Sequence, residues 1–499
     1  MTHQQELPRD LYRAAQLRAL DHCAINEFGI PGFQLMRRAG QFAFKQLVRR
    51  WPDAKRISIW CGAGNNGGDG YLVAGLAQQR GLSVQLVLMG DEQKLTGDAA
   101  LACQWAHGCG VKFTRYQNSV NIDADVVVDA LLGTGLDQAV RAPFDQAIAD
   151  INDSQVPVMS LDTPSGICSD TGCMLGVAVQ AEMTVTFIAL KQGLFTGKGP
   201  ECCGDIVFDD LAVPEEVYAR QEPAAIRLDA ELLKGVFTPR SRDAYKGDFG
   251  HVLVVGGNHG LGGAVIMAAQ AAGRVGAGLV SVATRPEHVS ALLARCPEVM
   301  AQGIAGGDEL RTLLVGKTIV VVGPGLGADD WARELLAVVL EASLPLLVDA
   351  DALNLIATAD DKSRESWIMT PHPGEAARLL QCSVADIQAD RFAAARAIQL
   401  RYGGVVLLKG VGSLVVGSVA EPVVLCDGGN PGMASGGMGD VLSGIVGGLL
   451  AQGFSLDRAV HVGMLLHVEA ADRAAVAGER GMQATDLLPY LRELVNQKE

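Results

Sequence analysis

The sequence is short of aromatic residues and of positive charge. Phe, Trp and Tyr make up 5% of the chain, and 56 acidic residues outnumber 41 Lys and Arg, giving a formal net charge of −15. A general nucleic-acid-binding protein needs a basic face, so this balance argues against one. Small anionic ligands stay possible, because backbone amides and a few local cations can hold them. We therefore expect no nucleic-acid partner.

Metal-ligand cysteine pairs, a secretory signal and a long apolar run are missing as well. Eleven cysteines are scattered along the chain, which is typical of reduced thiols in a cytosolic protein. The first residues (MTHQQELPRD) are polar, and Gly and Asp interrupt the most apolar stretches, so we expect neither a signal segment nor a transmembrane helix. A P-loop, a zinc motif and a Ser/His/Asp triad signature are also absent. We expect a cytoplasmic protein without a membrane partner.

What the sequence does contain is a repeated alternation of buried strands and helices, rich in glycine turns. A polar, Pro-containing stretch over 214–230 interrupts it and predicts a linker. We expect one α/β domain over residues 1–220, a linker over 221–229, and a second α/β domain over 230–499. The strands predicted in the first domain cover 56–62, 84–89, 125–130, 156–161 and 184–190, after helices within 9–50. Those predicted in the second cover 251–255, 279–283, 318–322, 345–348, 367–370, 405–409, 414–416 and 422–426.

Polar residues follow several strands of the first domain. The first strand runs into the glycine loop GAGNNGGDG at 62–70, and a helix is expected from about residue 71. Asn66, Asp129, Asp162 and Ser165 all fall at strand ends, where parallel sheets bring ligand sites together. Such hard oxygen ligands suit K⁺ or Mg²⁺. Lys191, at the end of a further strand, is either a proton carrier or a surface lysine.

The most informative stretch of the second domain covers 430–450, where Gly436, Gly437, Met438 and Gly439 precede Asp440 and an apolar helix. Glycines at the start of a helix let an anion approach free N–H groups. A carboxylate beside them suits a base that takes the proton of an attacking hydroxyl. The helix dipole and the amides are expected to keep that carboxylate ionised near neutral pH.

Two further strand ends of the second domain carry polar groups. The run KGVGS at 409–413 is expected to form a hairpin turn whose cation and hydroxyl suit phosphate oxygens. His372 lies between two prolines, so its backbone is stiff. This position favours either a ligand contact or a structural role.

These motifs resemble two known families, in order along nearly the whole chain. Residues 9–215 resemble the NAD(P)H-hydrate epimerase domain, through NNGGDG at 65–70, VDALLGTGL at 128–136, LDTPSG at 161–166 and KQGL at 191–194. Residues 230–495 resemble the ADP/ATP-dependent NAD(P)H-hydrate dehydratases of the ribokinase-like superfamily. The motifs there are KGDFGHVLVVGG at 246–257, VGPGLG at 322–327, DADALN at 349–354, TPHPGE at 370–375, KGVGS at 409–413 and NPGMASGGMGDVLSG at 430–444.

The resemblance implies a fold and a function. The fold is a Rossmann-like doubly wound sheet followed by a ribokinase-like α/β/α sandwich. The function is repair of hydrated NADH and NADPH: epimerisation of the R and S hydrates at C6, and dehydration of the S form with ADP and Mg²⁺. By this analogy K⁺ binds Asn66, Asp129 and Ser165, and Asp162 contacts the substrate near its reacting ring. Because inversion at C6 and transfer of the hydroxyl proton require acid–base groups, we expect Asp162 to catalyse epimerisation with Lys191 as its helper, and Asp440 to be the dehydratase base.

The substrate-binding residues carried over from the resemblance fall into three groups. In the epimerase domain they are Asn65, Asn66, Gly67, Gly68, Asp69, Gly133, Thr134, Gly135, Leu136, Asp137, Gln138, Ala139 and Asp162. For the hydrate in the dehydratase domain they are Ala264, Gly325 or Leu326, His372 and Asp440. For the nucleotide they are Lys409, Gly410, Val411, Gly412, Ser413, Asn430, Gly436, Gly437, Met438 and Gly439.

Two alternative functions stay open at this point. The second domain could be a small-molecule kinase that releases a phosphorylated product, since the same glycine motif would serve. The first domain could be a binding module without catalytic activity. We also expect a homo-oligomer, and the residues leave the choice between ADP and ATP open.

Overall fold

A computed structural model describes residues 7–359, 363–417 and 421–496 of the chain. The chain folds into two compact units, Met1–Ile226 and Arg227–Glu499. Within the described ranges, no helix is both long enough and apolar enough to cross a membrane.

The described residues of the first unit form ten strands and seven α-helices. In chain order they are β1 Asp10–Tyr12, α1 Ala14–Asn26, α2 Gly32–Arg50, β2 Arg56–Cys61, α3 Asn65–Gln79, β3 Ser83–Leu88, α4 Gly97–Gly108, β4 Phe113–Arg115, β5 Val126–Ala130, α5 Phe144–Asp153, β6 Val158–Leu161, β7 Met183–Phe187, β8 Leu190–Lys191, α6 Gly199–Cys203, β9 Asp205–Asp209, α7 Glu215–Tyr218 and β10 Ala225–Arg227. The short strand β1 pairs with β8 and β10 at one side of the unit.

Seven strands of the first unit form a parallel sheet in the order β4-β3-β2-β5-β6-β7-β9. Its central strands are apolar on both faces because helices cover both sides, and every residue of β5 is buried. The chain order reverses between β2 and β5. Ligands of doubly wound sheets bind at such a point, beyond the carboxyl ends of the strands. The Rossmann-like fold expected for this half is confirmed.

One boundary in the first unit differs from the sequence prediction. Helix α3 begins at Asn65, so Asn66–Gly70 form its first turns, whereas the prediction started the helix near Tyr71. Gly67 and Gly68 are required at these helical positions because neighbouring atoms leave no room for a side chain. A Cβ on Gly67 would lie 2.1 Å from the carbonyl oxygen of Gly62, and one on Gly68 would lie 2.6 Å from Met36 Sδ. Close packing therefore overrides the usual turn tendency of this composition.

In the second unit, the residues that the structure describes form nine further strands and eleven α-helices. They are β11 His251–Val255, α8 Gly262–Arg274, β12 Leu279–Thr284, α9 Val289–Arg295, β13 Met300–Gly303, α10 Gly307–Leu314, β14 Ile319–Val322, α11 Asp330–Glu341, β15 Leu346–Val348, α12 Ala350–Ile356, β16 Trp367–Met369, α13 Pro373–Leu380, α14 Val384–Ala389, α15 Arg391–Tyr402, β17 Val405–Leu408, β18 Ser413–Val416, β19 Val423–Cys426, α16 Met438–Ala451, α17 Leu456–Ala475 and α18 Leu488–Leu494. The α/β/α sandwich expected for this half is confirmed.

These strands lie in the order β13-β12-β11-β14-β15-β16-β17-β18-β19. Strands up to β17 are parallel, and β17, β18 and β19 form antiparallel hairpins. The chain order reverses between β11 and β14. Helices α8 and α16 pack together because glycines let them approach: a Cβ on Gly444 would lie 2.1 Å from the carbonyl oxygen of Ala268. This packing brings the start of α16 to the carboxyl edge of the sheet.

All thirteen predicted strands are present, with ends shifted by at most a few residues. The prediction missed the edge strands β4, β9 and β13, and the short strands β1, β8 and β10. Strand β10 lies inside the stretch predicted as a linker. Its Ala225 pairs with Leu11, and Gln16 Nε2 donates to the carbonyl oxygen of Glu222 at 2.6 Å. We therefore propose that the first domain ends near Ile226.

The fragments 1–226 and 227–499 should each unfold cooperatively on heating, because each unit has its own buried core. A fragment 1–221, which lacks the partner strand of β1, should unfold at a lower temperature than 1–226. Calorimetry of the three fragments tests this. The two-domain division fails if 1–226 or 227–499 shows no cooperative transition.

Candidate active sites

A cavity of about 650 Å³ lies at the carboxyl ends of β2 and β5 in the first unit. Because the chain order reverses there, loops from distant parts of the sequence meet around it. Among the residues expected to bind substrate, those that line the cavity are Asn65, Asn66, Asp69, Gly133, Thr134, Gly135, Leu136 and Asp162. Lys191 also lines it.

The ion pair between Lys191 and Asp162 is the main polar feature of this cavity. Lys191 Nζ lies 2.5 Å from Asp162 Oδ1 and donates to Thr186 Oγ1 at 2.7 Å. The backbone N–H of Thr134 donates to Asp162 Oδ2 at 3.1 Å, and the Thr134 hydroxyl donates to the same oxygen. Burial alone would raise the pKa of Asp162, but Lys191 and Thr134 lower it below its ordinary value. Asp162 is therefore an ionised carboxylate.

Two features show how strongly this pair is held. Asp162 has φ of +66°, a conformation that costs a residue with a side chain about 1–3 kcal/mol. Lys191 is 1% exposed, which excludes the surface-lysine alternative. The surrounding structure fixes both groups in place.

A second polar cluster lies beside the cavity at Asp129. Its carboxylate, which is fully buried, accepts hydrogen bonds from Ser165 Oγ at 2.6 Å, Ser160 Oγ at 2.8 Å and the backbone N–H of Ser165 at 2.9 Å. Burial nevertheless raises the pKa of Asp129. Asn66 Nδ2 donates to the carbonyl oxygen of Leu132 at 3.0 Å, which leaves Asn66 Oδ1 buried without a partner among the described residues.

This cluster fits a monovalent cation in its donor chemistry. Asn66, Asp129 and Ser165 supply only hard oxygens, and the unpaired Asn66 Oδ1 is the feature that a bound cation would satisfy. The Asp129 oxygens already accept hydrogen bonds, so Asp129 would contribute mainly its charge.

Several residues expected to bind substrate do not face the cavity. Gly67 and Gly68 pack against Gly62 and Met36, so their role is to let α3 approach its neighbours. Asp137, Gln138 and Ala139 are exposed and lie outside the cavity lining.

Asp21, a residue of α1 without a predicted role, also lines the cavity. Burial raises the pKa of Asp21 to about 6, against the opposing effect of Lys191. It follows no strand, so nothing in the sequence pattern pointed to it. The cavity lining thus contains four acidic residues, Asp21, Asp69, Asp98 and Asp162, and one buried lysine.

In the second unit, a buried ion pair joins Lys409 and Asp349. Lys409 Nζ lies 2.7 Å from Asp349 Oδ1 and 4.0 Å from Glu375 Oε2, and Ser443 Oγ donates to Asp349 Oδ2 at 2.7 Å. A Cβ on Gly439 would lie 3.4 Å from Lys409 Nζ, so the glycine start of α16 adjoins the pair. No role was predicted for Asp349. Its position directly after β15, at the carboxyl end of a strand, is the sequence feature that could have indicated one.

Asp440 lies in the first turn of α16, and the prediction that it stays ionised near neutral pH is wrong. Burial raises its pKa to about 7, and the negative charge of Asp349 adds to this while Lys409 opposes it. The prediction counted the helix dipole and the amides but not desolvation, which is the larger effect here. At neutral pH Asp440 is therefore poised between its two protonation states.

His372 acts locally as the cap of helix α13. Its Nδ1 accepts a hydrogen bond from the N–H of Gly374 at 2.9 Å, and its Nε2 lies 3.2 Å from Glu375 Oε1. Burial and the charge of Lys409 lower the pKa of His372, so the ring is neutral. The imidazole is half-exposed, which leaves one face open to a ligand. Burial raises the pKa of Glu375 to about 7.

The hairpin turn 409–413 is supported from beneath by a buried arginine. Arg391 Nη2 donates to the carbonyl oxygens of Lys409 and Gly412, each at 3.3 Å. Arg391 is 1% exposed, and sequence reasoning missed it because an arginine at a helix start gives no distinctive pattern. Ser413 Oγ donates to the carbonyl oxygen of Gly410 at 3.0 Å. The turn is therefore a rigid platform, with Val411 exposed at its tip.

The remaining residues predicted to bind ligand in the second unit lie in two places, one for the hydrate and one for the nucleotide. Gly325 lies against Ala264, since a Cβ on Gly325 would be 3.2 Å from that of Ala264. The side chain of Leu326 is fully buried, so Gly325 is the better candidate of the two. Asn430 Nδ2 donates to Asp472 Oδ1 at 2.8 Å, which holds the segment before the glycines.

Comparison with known proteins gives matches over both units. A family profile described as NAD(P)H-hydrate dehydratase matches residues 252–493, and one described as YjeF-related protein N-terminus matches residues 32–193.

Curated relatives match almost the whole chain. A bifunctional NAD(P)H-hydrate repair enzyme of Coxiella burnetii is 50% identical over 492 residues, covering 97% of this chain and 99% of the relative. One from Escherichia coli strain K12 is 43% identical, covering 98% of this chain and 95% of the relative. Among solved structures, a ribokinase-like superfamily protein of Enterococcus faecalis is 31% identical, with a TM-score of 0.51, and covers 55% of this chain and 96% of that one.

Proposed function

Since the chain belongs to the family of bifunctional NAD(P)H-hydrate repair enzymes, we propose that its two units act in sequence on hydrated NADH and NADPH. The first unit interconverts the R and S hydrates at C6. The second unit dehydrates the S hydrate to NADH or NADPH at the expense of ADP, giving AMP and phosphate. One observation carries the proposal: each unit pairs a lysine with a buried or largely buried aspartate at a sheet's carboxyl edge, beside a carboxyl group of raised pKa.

Epimerisation at C6 requires acid–base chemistry, because this carbon bears both a hydroxyl and the ring nitrogen. Asp162 is ionised and lines the cavity, so it can accept a proton from a hydroxyl or a water at C6. Lys191 holds that carboxylate in position and keeps it charged. The strained backbone of Asp162 supports an active-site role, since strain of this kind persists at sites that need a fixed geometry.

Dehydration requires the C6 hydroxyl to become a better leaving group. In the proposed reaction Asp440 takes the hydroxyl proton while the oxygen attacks the β-phosphoryl group of ADP, and AMP leaves. The C–O bond then breaks, phosphate departs with the bonding electrons, and loss of a C5 proton restores the 5,6 double bond. A pKa of about 7 suits this task, because a general base works best near the ambient pH.

The nucleotide phosphates are proposed to bind at the start of α16, beside Gly436–Gly439 and Lys409. The N–H groups of a helix start attract anions, and Lys409 supplies the nearby positive charge. Because Lys409 is already paired with Asp349, the site has more negative than positive groups. A Mg²⁺ ion that accompanies the nucleotide would balance this charge.

K⁺ is proposed for the cluster of Asn66, Asp129 and Ser165. The unpaired Asn66 Oδ1 and the buried Asp129 carboxylate support this assignment. The ion would offset the negative charge of Asp129. It would thereby stabilise the loop after β5, in which Thr134 donates a hydrogen bond to Asp162.

A coupled assay tests the proposed function. Purified enzyme is given R or S hydrate of NADPH with ADP, with ATP, or without nucleotide, while the dihydronicotinamide absorbance and released phosphate are followed. We expect NADPH and phosphate in equal amounts, and R hydrate to be used after epimerisation. A stable phosphorylated hydrate without NADPH would instead identify a kinase. Failure to interconvert R and S would leave the first unit a binding module.

Asp440→Asn should lower nucleotide-dependent dehydration at least about a hundredfold, because a positioned base contributes about 10²–10⁴ to the rate. ADP binding and epimerisation should stay unchanged. In the wild type the rate should rise with pH through about 7, since Asp440 acts only when ionised.

The matched control for that variant is Asp457→Asn, which removes an acidic residue from the first turn of α17. Dehydration within a few-fold of wild type in Asp440→Asn would contradict the assignment.

Exchange of K⁺ for tetramethylammonium should slow epimerisation by more than about tenfold. A buried carboxylate that lacks its cation is destabilised by several kcal/mol, and the active conformation that contains it becomes less populated. Dehydration of pure S hydrate should be unaffected. The Asn66→Ala variant should epimerise the hydrate slowly, and its rate should not depend on K⁺. An epimerisation rate independent of K⁺ in the wild type would exclude the cation site.

A further inference from the structure

We propose that Asp69 is a second catalytic residue of the epimerase unit, acting as the acid that protonates the C6 hydroxyl while Asp162 acts as the base. The inference rests on the proposed epimerase function and deepens it. The resemblance to the family implied only that Asp69 helps to hold the substrate. Its surroundings point to a chemical role.

Asp69 is a buried carboxyl group that lacks any fixed partner. It lies in the second turn of α3, lines the same cavity as Asp162 and Lys191, and is 9% exposed. Among the described residues no hydrogen bond to its side chain is present, and the charged groups that act on it, Asp162, Asp21 and Lys191, act at a distance. Asp162, in contrast, is held by Lys191 and Thr134.

The packing of α3 against α2 places Asp69 at the cavity. A Cβ on Gly40 of α2 would lie 2.5 Å from Leu72 Cβ and 3.5 Å from the carbonyl oxygen of Asp69. Gly68 likewise lies against Met36. Helices α2 and α3 therefore fit closely at this turn, and Asp69 lines the cavity beside this contact.

A buried, unpaired carboxyl group is costly, and a protein without need of it would have an apolar residue or a partner there. Ionisation without a partner is unfavourable in such surroundings, so such a group stays protonated and is available as an acid. Carboxyl groups perturbed by burial inside a cavity are typical of active sites. The structure thus offers a proton donor in the same cavity as an ionised carboxylate.

The charges around Asp69 reinforce this state. Burial raises its pKa well above the ordinary value, and the negative charges of Asp162 and Asp21 add to the effect. Lys191 opposes it but is paired with Asp162. The thiol of Cys61, itself buried with a raised pKa, is neutral. Arg18 and Asp98 are the other charged groups lining the cavity.

The two carboxyl groups give a balanced route between the epimers. Asp69 donates its proton to the C6 hydroxyl, the C–O bond breaks, and water leaves as the lone pair of N1 forms a C6=N1 double bond. Water then adds to the opposite face of C6, and its proton passes to Asp162. The proton returns to Asp69 through water in the cavity, so the enzyme is unchanged and no oxidant or reductant is required.

The test compares Asp69→Asn with the control Asp153→Asn, which neutralises an exposed carboxyl group at the end of α5, outside the cavity lining. For each, kcat, KM and the pH profile of R-to-S conversion are measured, with dehydration of S hydrate as a reference. We expect kcat of Asp69→Asn to fall at least about a hundredfold with KM changed only a few-fold. Asp153→Asn should match the wild type.

The pH profile separates an acid from a structural residue. In the wild type, epimerisation should fall at low pH as Asp162 becomes protonated, and fall at high pH as Asp69 loses its proton. The residual activity of Asp69→Asn should lack the fall at high pH. If that variant unfolds at a lower temperature than wild type, the wild-type profile decides, since absence of the high-pH fall overturns the proposal.

Each remaining outcome has one meaning. If wild type does not interconvert the epimers, the epimerase function itself fails. If wild type does so and Asp69→Asn is within a few-fold of it, the function stands and the role of Asp69 is overturned. A raised KM with unchanged kcat makes Asp69 a binding residue only, which also overturns the proposal.

Discussion

Each site contains one lysine that forms a close ion pair with one aspartate while further carboxyl groups lie nearby, and this shortage of positive charge sets the charge states of both sites. Lys191 pairs with Asp162 in the first unit, and Lys409 pairs with Asp349 in the second. The carboxyl groups that lack such a pair carry raised pKa values, because burial is not compensated. Each site therefore combines an ionised aspartate with a carboxyl group that can hold a proton near neutral pH.

The two units reach this arrangement through the same topological device. Each has a parallel sheet whose chain order reverses, between β2 and β5 in one and between β11 and β14 in the other. Loops diverge at such a point and leave a space beyond the strand ends. Glycines then let helices close on that space, as Gly67 and Gly68 do for α3 and Gly444 does for α16. The residues of each site are far apart in sequence because they arrive on different strands.

The sequence predicted the central strands and most strand-end residues, because apolar runs and the polar residues after them are strong local signals. It missed β4, β9 and β13, which are short and lie at the sheet edges, where half-exposed residues give no clear pattern. It also missed Asp21 and Arg391, whose roles come from burial by distant parts of the chain. The ionisation of Asp440 was wrong for the same reason, since desolvation is a tertiary effect.

The central claim is that each lysine controls the ionisation of its own site. The most direct test is to measure the pH profiles of epimerisation and dehydration in wild type, Lys191→Met and Lys409→Met. Loss of Lys191 should raise the pKa of Asp162 and move the low-pH fall of epimerisation to higher pH, leaving the dehydration profile unchanged. Loss of Lys409 should raise the pKa of Asp440, because Lys409 is the group that lowers it. The dehydration profile should then move to higher pH while the epimerisation profile stays unchanged. Profiles that do not move in their own variant, or that move together in both, would contradict the account.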